Sequence, residues 1–183
     1  MYNPYIVGKQ IYLRHPTEED VRGKWHEWFS DEETTKYLES RFWPNSKESQ
    51  LAFYNSLQMD RNKLVLSIVM LSSDEHFGVI SLNNINWVHR FGDIGIVIGE
   101  KTYCNGVYAI EAYSLILKIA FLRLNLLNVK AGYCVANKSS GAILELFKFK
   151  TVGMYKKLFM VDGKKEDCVV NYLDKETWLN RNS

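Results

Sequence analysis

The chain has 183 residues, 46% of them hydrophobic and 24% charged, with a formal net charge of +2; this is the size and composition of one self-folding domain and leaves no electrostatic footprint for nucleic acid. Its three cysteines, Cys104, Cys134 and Cys168, sit far apart in no CxxC or Cys/His spacing, which points to a reducing, cytoplasmic setting and to no metal. No run of about 18 uncharged apolar residues occurs and the first residues carry no apolar leader, so neither a membrane nor export is expected.

In chain order, Gln10–Arg14 alternates apolar and polar residues as a strand does, and His15-Pro16 ends it because the residue before proline avoids the α region. Thr17 then caps a helix whose first turn is acidic (Glu18, Glu19, Asp20) and whose apolar face is Val21, Trp25, Trp28 and Phe29. A second short helix is expected from Asp31. After the aromatic loop Arg41-Phe42-Trp43-Pro44, Ser46 caps a third helix with Leu51, Phe53, Tyr54 and Leu57 turned inward.

The pattern changes at Lys63–Met70 and Phe77–Val88, where β-branched and aromatic runs flank the polar turn Ser72–Glu75 and predict an antiparallel hairpin. A strand over Asp93–Ile98 follows. It leads through Cys104, Asn105 and Gly106 into an amphipathic helix from about Val107 to Leu124. A strand feeding a glycine-containing turn and then a helix start exposes unpaired main-chain amides at the positive end of the helix dipole, so the expected ligand there is a phosphorylated cofactor. A strand at Asn128–Val135, a helix at Ser139–Phe147 and a hairpin of Gly153–Val161 with Glu166–Tyr172 about Asp162-Gly163 complete the chain. The order β, three helices, βββ, α, β, α, ββ predicts one α+β domain, 1–183, with a mixed, mostly antiparallel sheet of about seven strands and helices on both faces. A dinucleotide-binding doubly wound fold is disfavoured, since GxGxxG is missing and the strands run as hairpins.

Three segments, Ile85–Gly99, Tyr103–Ala112 and Asn137–Phe149, resemble the GNAT superfamily of acyl-CoA-dependent N-acyltransferases, most closely the branch with ribosomal-protein alanine and spermidine acetyltransferases, and the resemblance runs from Ile11 to Trp178. It implies an N-acetyltransferase that uses acetyl-CoA as co-substrate on a primary amine of an amino-sugar nucleotide, a polyamine or a protein N-terminus, by direct attack in a ternary complex. A homodimer is compatible with it. The alternative is a GNAT-fold CoA-binding or regulatory module without turnover, suggested by departures from the family pattern: Cys104 and Val107 stand where the cofactor loop has Arg or Gln and Gly, Lys148 replaces a glycine, and Leu144 replaces a tyrosine acid.

Carried over residue by residue, the resemblance places the pyrophosphate on Cys104, Asn105, Gly106, Val107, Tyr108 and Ala109, the pantetheine arm on Asn137 and Ser140, and the thioester against amides of Ile96, Val97 or Ile98. Ser140 is the candidate acid for the leaving thiolate, or a residue that helps start its helix. Asp93 is the first candidate for the base that deprotonates the amine and His89 the second, with turn-capping and a solvated turn as their alternatives. Trp28, Arg41, Phe42 and Trp43 are candidates for the acceptor wall, through stacking and phosphate pairing, against simple packing of an irregular loop.

Overall fold

A computed structural model of the protein describes residues 1–182. Its sheet has eight strands in the order β1-β2-β3-β4-β5-β6-β8-β7: β1 (Pro4–Val7), β2 (Ile11–Arg14), β3 (Leu64–Met70), β4 (His76–Asn86), β5 (Phe91–Ile98), β6 (Asn128–Cys134), β7 (Lys150–Val161) and β8 (Lys164–Asp174). All neighbouring pairs are antiparallel except β5 and β6, which run parallel.

Helix α1 is built from three consecutive pieces, Glu18–Asp20, Val21–Trp25 and His26–Trp28, with the backbone kinked at Gly23. The Thr17 side chain accepts from the Asp20 amide while Asp20 reaches back to the Thr17 amide, a capping box that starts the helix at the predicted residue. Helix α2 (Lys47–Leu57) begins at Ser46, whose hydroxyl accepts from Ser49 N. Helix α3 (Val107–Lys118) continues through a π-helical turn, Ile119–Arg123. Helix α4 is Lys138–Leu146, and α5 is Lys175–Asn182.

The two faces of the sheet hold two cores. On one, Leu115, Ile116 and Phe121 of the α3 segment and Leu144 of α4 pack on Ile11, Leu66, Ile68, Ile80, Leu82 and Ile94. On the other, Val21, Trp25 and Trp28 of α1 and Leu57 of α2 cover Val65 and Val79. Helices therefore lie on both faces, as the residue pattern predicts.

Four expectations need correction. The sheet gains the short edge strand β1, held by pairing with β2 rather than by any apolar run of its own. No helix begins at Asp31; the segment makes successive turns closed by Thr35 N to Asp31 O (3.0 Å) and Leu38 N to Thr35 O (2.8 Å), because its acids supply a cap without an apolar face to bury. Leu51 of α2 is exposed and Gln50 is buried in its place. Finally, α5 follows β8 and buries Trp178 against Phe121.

The parallel pairing of β5 with β6 covers only Phe91–Asp93 against Asn128–Lys130, whereas β6 stays paired with β8 as far as Cys134. Beyond the Asp93–Lys130 rung the sheet is split, with one wall β5 and the other β6.

Candidate active site

In an antiparallel ladder the main-chain groups of successive residues point alternately to one neighbour and the other. Gly99 N donates to Phe77 O (2.8 Å), and the β4–β5 register is unbroken from Gly78↔Ile98 to Asn83↔Asp93, so the amides of Val97 and Gly95 are directed at β4. Those of Ile96 and Ile98 face the split. Of the three β5 amides predicted to meet a thioester, Val97 is therefore committed to the sheet, and its side chain packs toward Trp28 on the opposite face.

Past β5 the chain makes a 3₁₀ turn, Lys101–Tyr103, and reaches Gly106 at φ +83°, a left-handed conformation that only glycine adopts without strain. This turn delivers the N-terminus of α3. Asn105 Oδ1 accepts from Val107 N (3.1 Å), and Ile110 N closes onto Gly106 O (3.0 Å). Among the described residues the amides of Asn105, Gly106, Tyr108 and Ala109 have no acceptor. Unpaired amides at the positive end of a 12-residue helix are the donor set that a diphosphate requires. The Val107 side chain is exposed and lies off the groove wall, so its Cβ does not occupy the space that a glycine would leave.

Across the split, Asn137 caps α4 by accepting from Ser140 N (3.2 Å), and its own amide donates to Cys134 O (2.8 Å). Among the described residues the Ser140 hydroxyl has no partner. A groove of about 880 Å³ joins both sides, bringing together Ile96, Ile98, Cys104, Asn105, Gly106, Ala109, Asn137 and Ser140. Tyr108 is turned away, packed edge-on to Phe77 and Tyr103. Partial desolvation, with the Glu33 carboxylate, holds the Cys104 thiol above its ordinary value, which leaves it a poor nucleophile at neutral pH. Leu144, at the position of the tyrosine acid, is buried in the core.

The residue pattern missed Glu33 and Thr34 as groove walls. They belong to the turn segment read as a helix, and Glu33 is tied down by Lys101 (2.7 Å), which also reaches Asp31 (3.5 Å). Trp28 is not an exposed wall residue: it is 4% exposed, its Nε1 donates to Glu100 Oε1 (2.9 Å), and its ring lies where a Cβ on Gly99 would stand. Burial works to raise the Glu100 pKa, but the bonds from Trp28 and Lys24 outweigh it and hold the carboxylate below its ordinary value. Phe42 and Trp43 are exposed, and Arg41 Nη1 pairs with Asp162 in the β7–β8 turn (3.3 Å).

Asp93 sits on the last paired rung below the split. Asn84 Nδ2 donates to one of its oxygens (3.0 Å) and Lys130 Nζ pairs with the other (3.0 Å). It shares its sheet face with Gly95 and Val97 and does not line the groove. His89 is exposed in the β4–β5 turn, and at about 3.3 Å per residue the strand from Phe91 to Ile96 alone sets it more than about 16 Å from the open amides. The structure does not bring His89 to the groove. Among the described residues no cluster of three or more His, Cys, Asp or Glu is placed to hold a metal ion, and no helix is long and apolar enough to cross a membrane.

A family model described as an acetyltransferase (GNAT) domain matches residues 10–150. The chain belongs to the GNAT acetyltransferases. Its fold is similar to that of the spermidine N-acetyltransferase from Vibrio cholerae crystallised with CoA and spermine, at 22% identity and a TM-score of 0.85, over 94% of this chain and 100% of that one. It is also similar to a dodecameric structure of spermidine N-acetyltransferase from Vibrio cholerae (21%, TM-score 0.82, 96% and 100%) and to a GNAT-family acetyltransferase from Bacillus anthracis (22%, TM-score 0.78, 93% and 98%). No curated protein matches the chain by sequence.

Proposed function

We propose that this GNAT chain, as a single domain over 1–183, transfers an acetyl group from acetyl-CoA to a primary amine of a small molecule or a peptide N-terminus, by direct attack within a ternary complex in the cytoplasm. The observation that carries this reading is the one groove that joins acceptor-free amides at the start of α3 to two open β5 amides and to the Asn137–Ser140 helix start. The amides of Asn105, Gly106, Tyr108 and Ala109 would hold the diphosphate, and Asn137 Nδ2 the pantetheine amides. Acetyl-CoA supplies an activated acyl group as a thioester.

An amine of pKa about 10 arrives protonated at neutral pH, so a base must act before attack. Asp93 takes that proton through water, since its carboxylate stands at the apex of the split but outside the groove. The C–N bond forms as the C–S bond breaks; Ile96 or Ile98 N–H donates to the carbonyl oxygen, the Ser140 hydroxyl gives its proton to the departing sulfur, and the proton that the attacking nitrogen loses as it becomes an amide returns through water to the Ser140 oxygen. General base catalysis is worth about 10²–10⁴-fold. Asp93→Asn is therefore expected to lower kcat on that scale while leaving CoA affinity unchanged, and a variant as active as the parent would remove the assignment. The reaction itself is tested by following free thiol release from acetyl-CoA with polyamine, amino-sugar nucleotide and peptide acceptors. Silence across all three, with CoA still bound, would favour the regulatory module.

A further inference from the structure

On the face of the sheet turned toward α1, the split opens between two glycines. The paired rungs Phe91↔Asn128, Gly92↔Val129 and Asp93↔Lys130 fix the parallel register, and continuing it two residues sets Gly95 of β5 opposite Gly132 of β6. Side chains alternate between faces along a strand, so both positions share the face of Asp93 and Lys130, where Lys130 Nζ and Asp93 Oδ1 meet at 3.0 Å. The first row beyond that ion pair therefore carries no side chain on either lip of the split.

Neither glycine is required by the fold. Gly78 of β4 is: a Cβ there would stand 2.6 Å from Val97 O. A Cβ on Gly95 would meet Ser81 Oγ at 3.4 Å and Asn83 Nδ2 at 3.7 Å, and one on Gly132 would meet Cys168 Sγ at 3.5 Å and Val169 O at 3.9 Å, all ordinary van der Waals distances. Positive φ is confined, among the described glycines, to Gly106 and Gly163. Glycine inside a strand weakens it, and where neither crowding nor backbone angle demands it, the remaining use is close approach of another molecule.

The surroundings suit an amine. Gly95 is half-buried and Gly132 exposed, and on β4 the ladder sets Ser81 beside Gly95 and Asn83 beside Asp93. Asn83 Nδ2 donates to Ser81 Oγ (2.8 Å), while among the described residues Asn83 Oδ1 has no donor. With the Asp93 carboxylate these groups bring oxygens to the opening, and an ammonium group carries three donors to meet them. The opening is also narrow. β5 and β6 stand at the ladder spacing of about 4.8 Å at the Asp93–Lys130 rung, and Gly95 lies only two residues, about 6.6 Å, further along. Ile96, the next residue, lines the groove on the other face.

We propose that the gap between Gly95 and Gly132 is the port through which the acceptor nitrogen passes from the α1 face to the thioester, and that these two glycines set the bulk tolerated beside that nitrogen. The proposal rests on the transferase reading above and narrows its acceptor: the nitrogen stands on an unbranched CH2 group, since a branch at that carbon would strike the strand backbones. It puts Asp93 at the foot of the port, on the acceptor's side of the sheet, while the cofactor occupies the groove.

The test uses CoA whose sulfur carries CH2–CO–NH–R, with R n-butyl or sec-butyl, each measured by calorimetry beside CoA itself. The parent is expected to bind the n-butyl compound more tightly than CoA and at least about tenfold more tightly than the sec-butyl compound, the scale of one misplaced methyl group. Gly95→Ala and Gly132→Ala should each weaken the n-butyl compound about tenfold or more, keep CoA affinity within about twofold, and leave Tm no lower. Equal affinity for the two compounds, no gain over CoA, alanine variants that bind the n-butyl compound as the parent does, or variants that lose CoA affinity or Tm in step would each overturn the port and leave the acetyltransferase reading standing. A parent that binds neither CoA nor either compound would bring down that reading, and the port with it.

Discussion

The two faces of the sheet treat their polar groups in opposite ways. Under α1, Arg14 of β2 makes two bonds to Asp20 (2.6 and 2.7 Å), Ser67 of β3 donates to the same carboxylate (2.8 Å), and His76 of β4 approaches it at 3.2 Å, all of them buried or nearly so. Every oxygen of Asp20 is engaged. Across the sheet, at the start of α3, the amides of Asn105, Gly106, Tyr108 and Ala109 have no acceptor among the described residues. A buried charge persists only when it is surrounded by partners, whereas amides that open onto a groove are satisfied by water until a ligand takes its place. The first arrangement fixes α1 to three strands. The second leaves a helix end ready for an anion, and the contrast separates the scaffold of this acetyltransferase from its site.

The closed cluster breaks most expensively. Asp20→Asn takes away the charge that compensates Arg14 inside the protein, and removing one partner of a buried pair costs about 3–5 kcal/mol; a urea unfolding free energy lowered by less than about 1 kcal/mol would show the cluster to be dispensable. Burial pushes the Asp20 pKa up, yet the bonds from Arg14 and His76 outweigh this and hold it well below the usual carboxylate range. The folded state thus binds this proton less readily than the unfolded chain, whose carboxylate titrates near about 3.9. The stabilisation is present above about pH 4 and is lost as pH falls below it. The Asn variant should show a flatter stability profile across that window than the parent.

The open amides give the next effect, with the opposite sign. Free CoA at about 100 times its Kd should add about 2.7 kcal/mol of stability, readable as a rise in Tm. Because the donors are main-chain groups, the shift should survive Cys104→Ala, and it should shrink as salt screens the diphosphate from the helix end. No shift with CoA would mean that the amides at Gly106–Ala109 do not receive the ligand.

How far each face could be foreseen follows from how many segments build it. Thr17 and Ser46 act within their own helices, so the starts of α1 and α2 were legible from single residues, whereas the Asn137 cap that starts α4 one residue before the expected Ser139 was not read as one. The cradle was legible for the same reason, since strand, glycine turn and helix are contiguous from Ile94 to Ala109. The helix expected at Asp31 failed because acids at a helix start say nothing about whether an apolar face follows. Leu51 was displaced from its expected core position by Gln50, one step of helical phase that pattern alone does not resolve. The Arg14–Asp20–Ser67–His76 cluster and the facing glycines Gly95 and Gly132 each draw on residues from separate elements, and nothing in local spacing announces such meetings. The split after Asp93 followed from the family resemblance and not from periodicity, because Ile94–Ile98 reads as the same apolar strand whether or not its second neighbour is present.

At the end of α4 the family glycine is replaced by Lys148. Its φ is +64°, and its amide donates to Glu145 O (2.9 Å) while Phe149 N donates to Leu144 O (2.9 Å). This is a left-handed helix stop, which a side chain occupies at a cost of about 1–2 kcal/mol relative to glycine. Lys148→Gly should therefore stabilise the chain by about 1 kcal/mol, after the greater flexibility of glycine in the unfolded chain is subtracted. A destabilised variant would show that Lys148 contributes a contact through its side chain that outweighs the strain.

The smallest effect is expected at Val107, although it is the most conspicuous departure from the family loop. Its side chain is half exposed and stands off the groove, and the left-handed turn that the loop needs is made one residue earlier, by Gly106. The Val107 amide is held by Asn105 whatever its side chain. Val107→Gly should leave the affinity for CoA within about twofold and lower stability by less than about 1 kcal/mol, since a helix end tolerates glycine better than its interior does. A large change in CoA affinity in either direction, measured by calorimetry, would mean that the Cβ reaches the phosphates and that the open face is shaped by side chains as well as by main-chain amides.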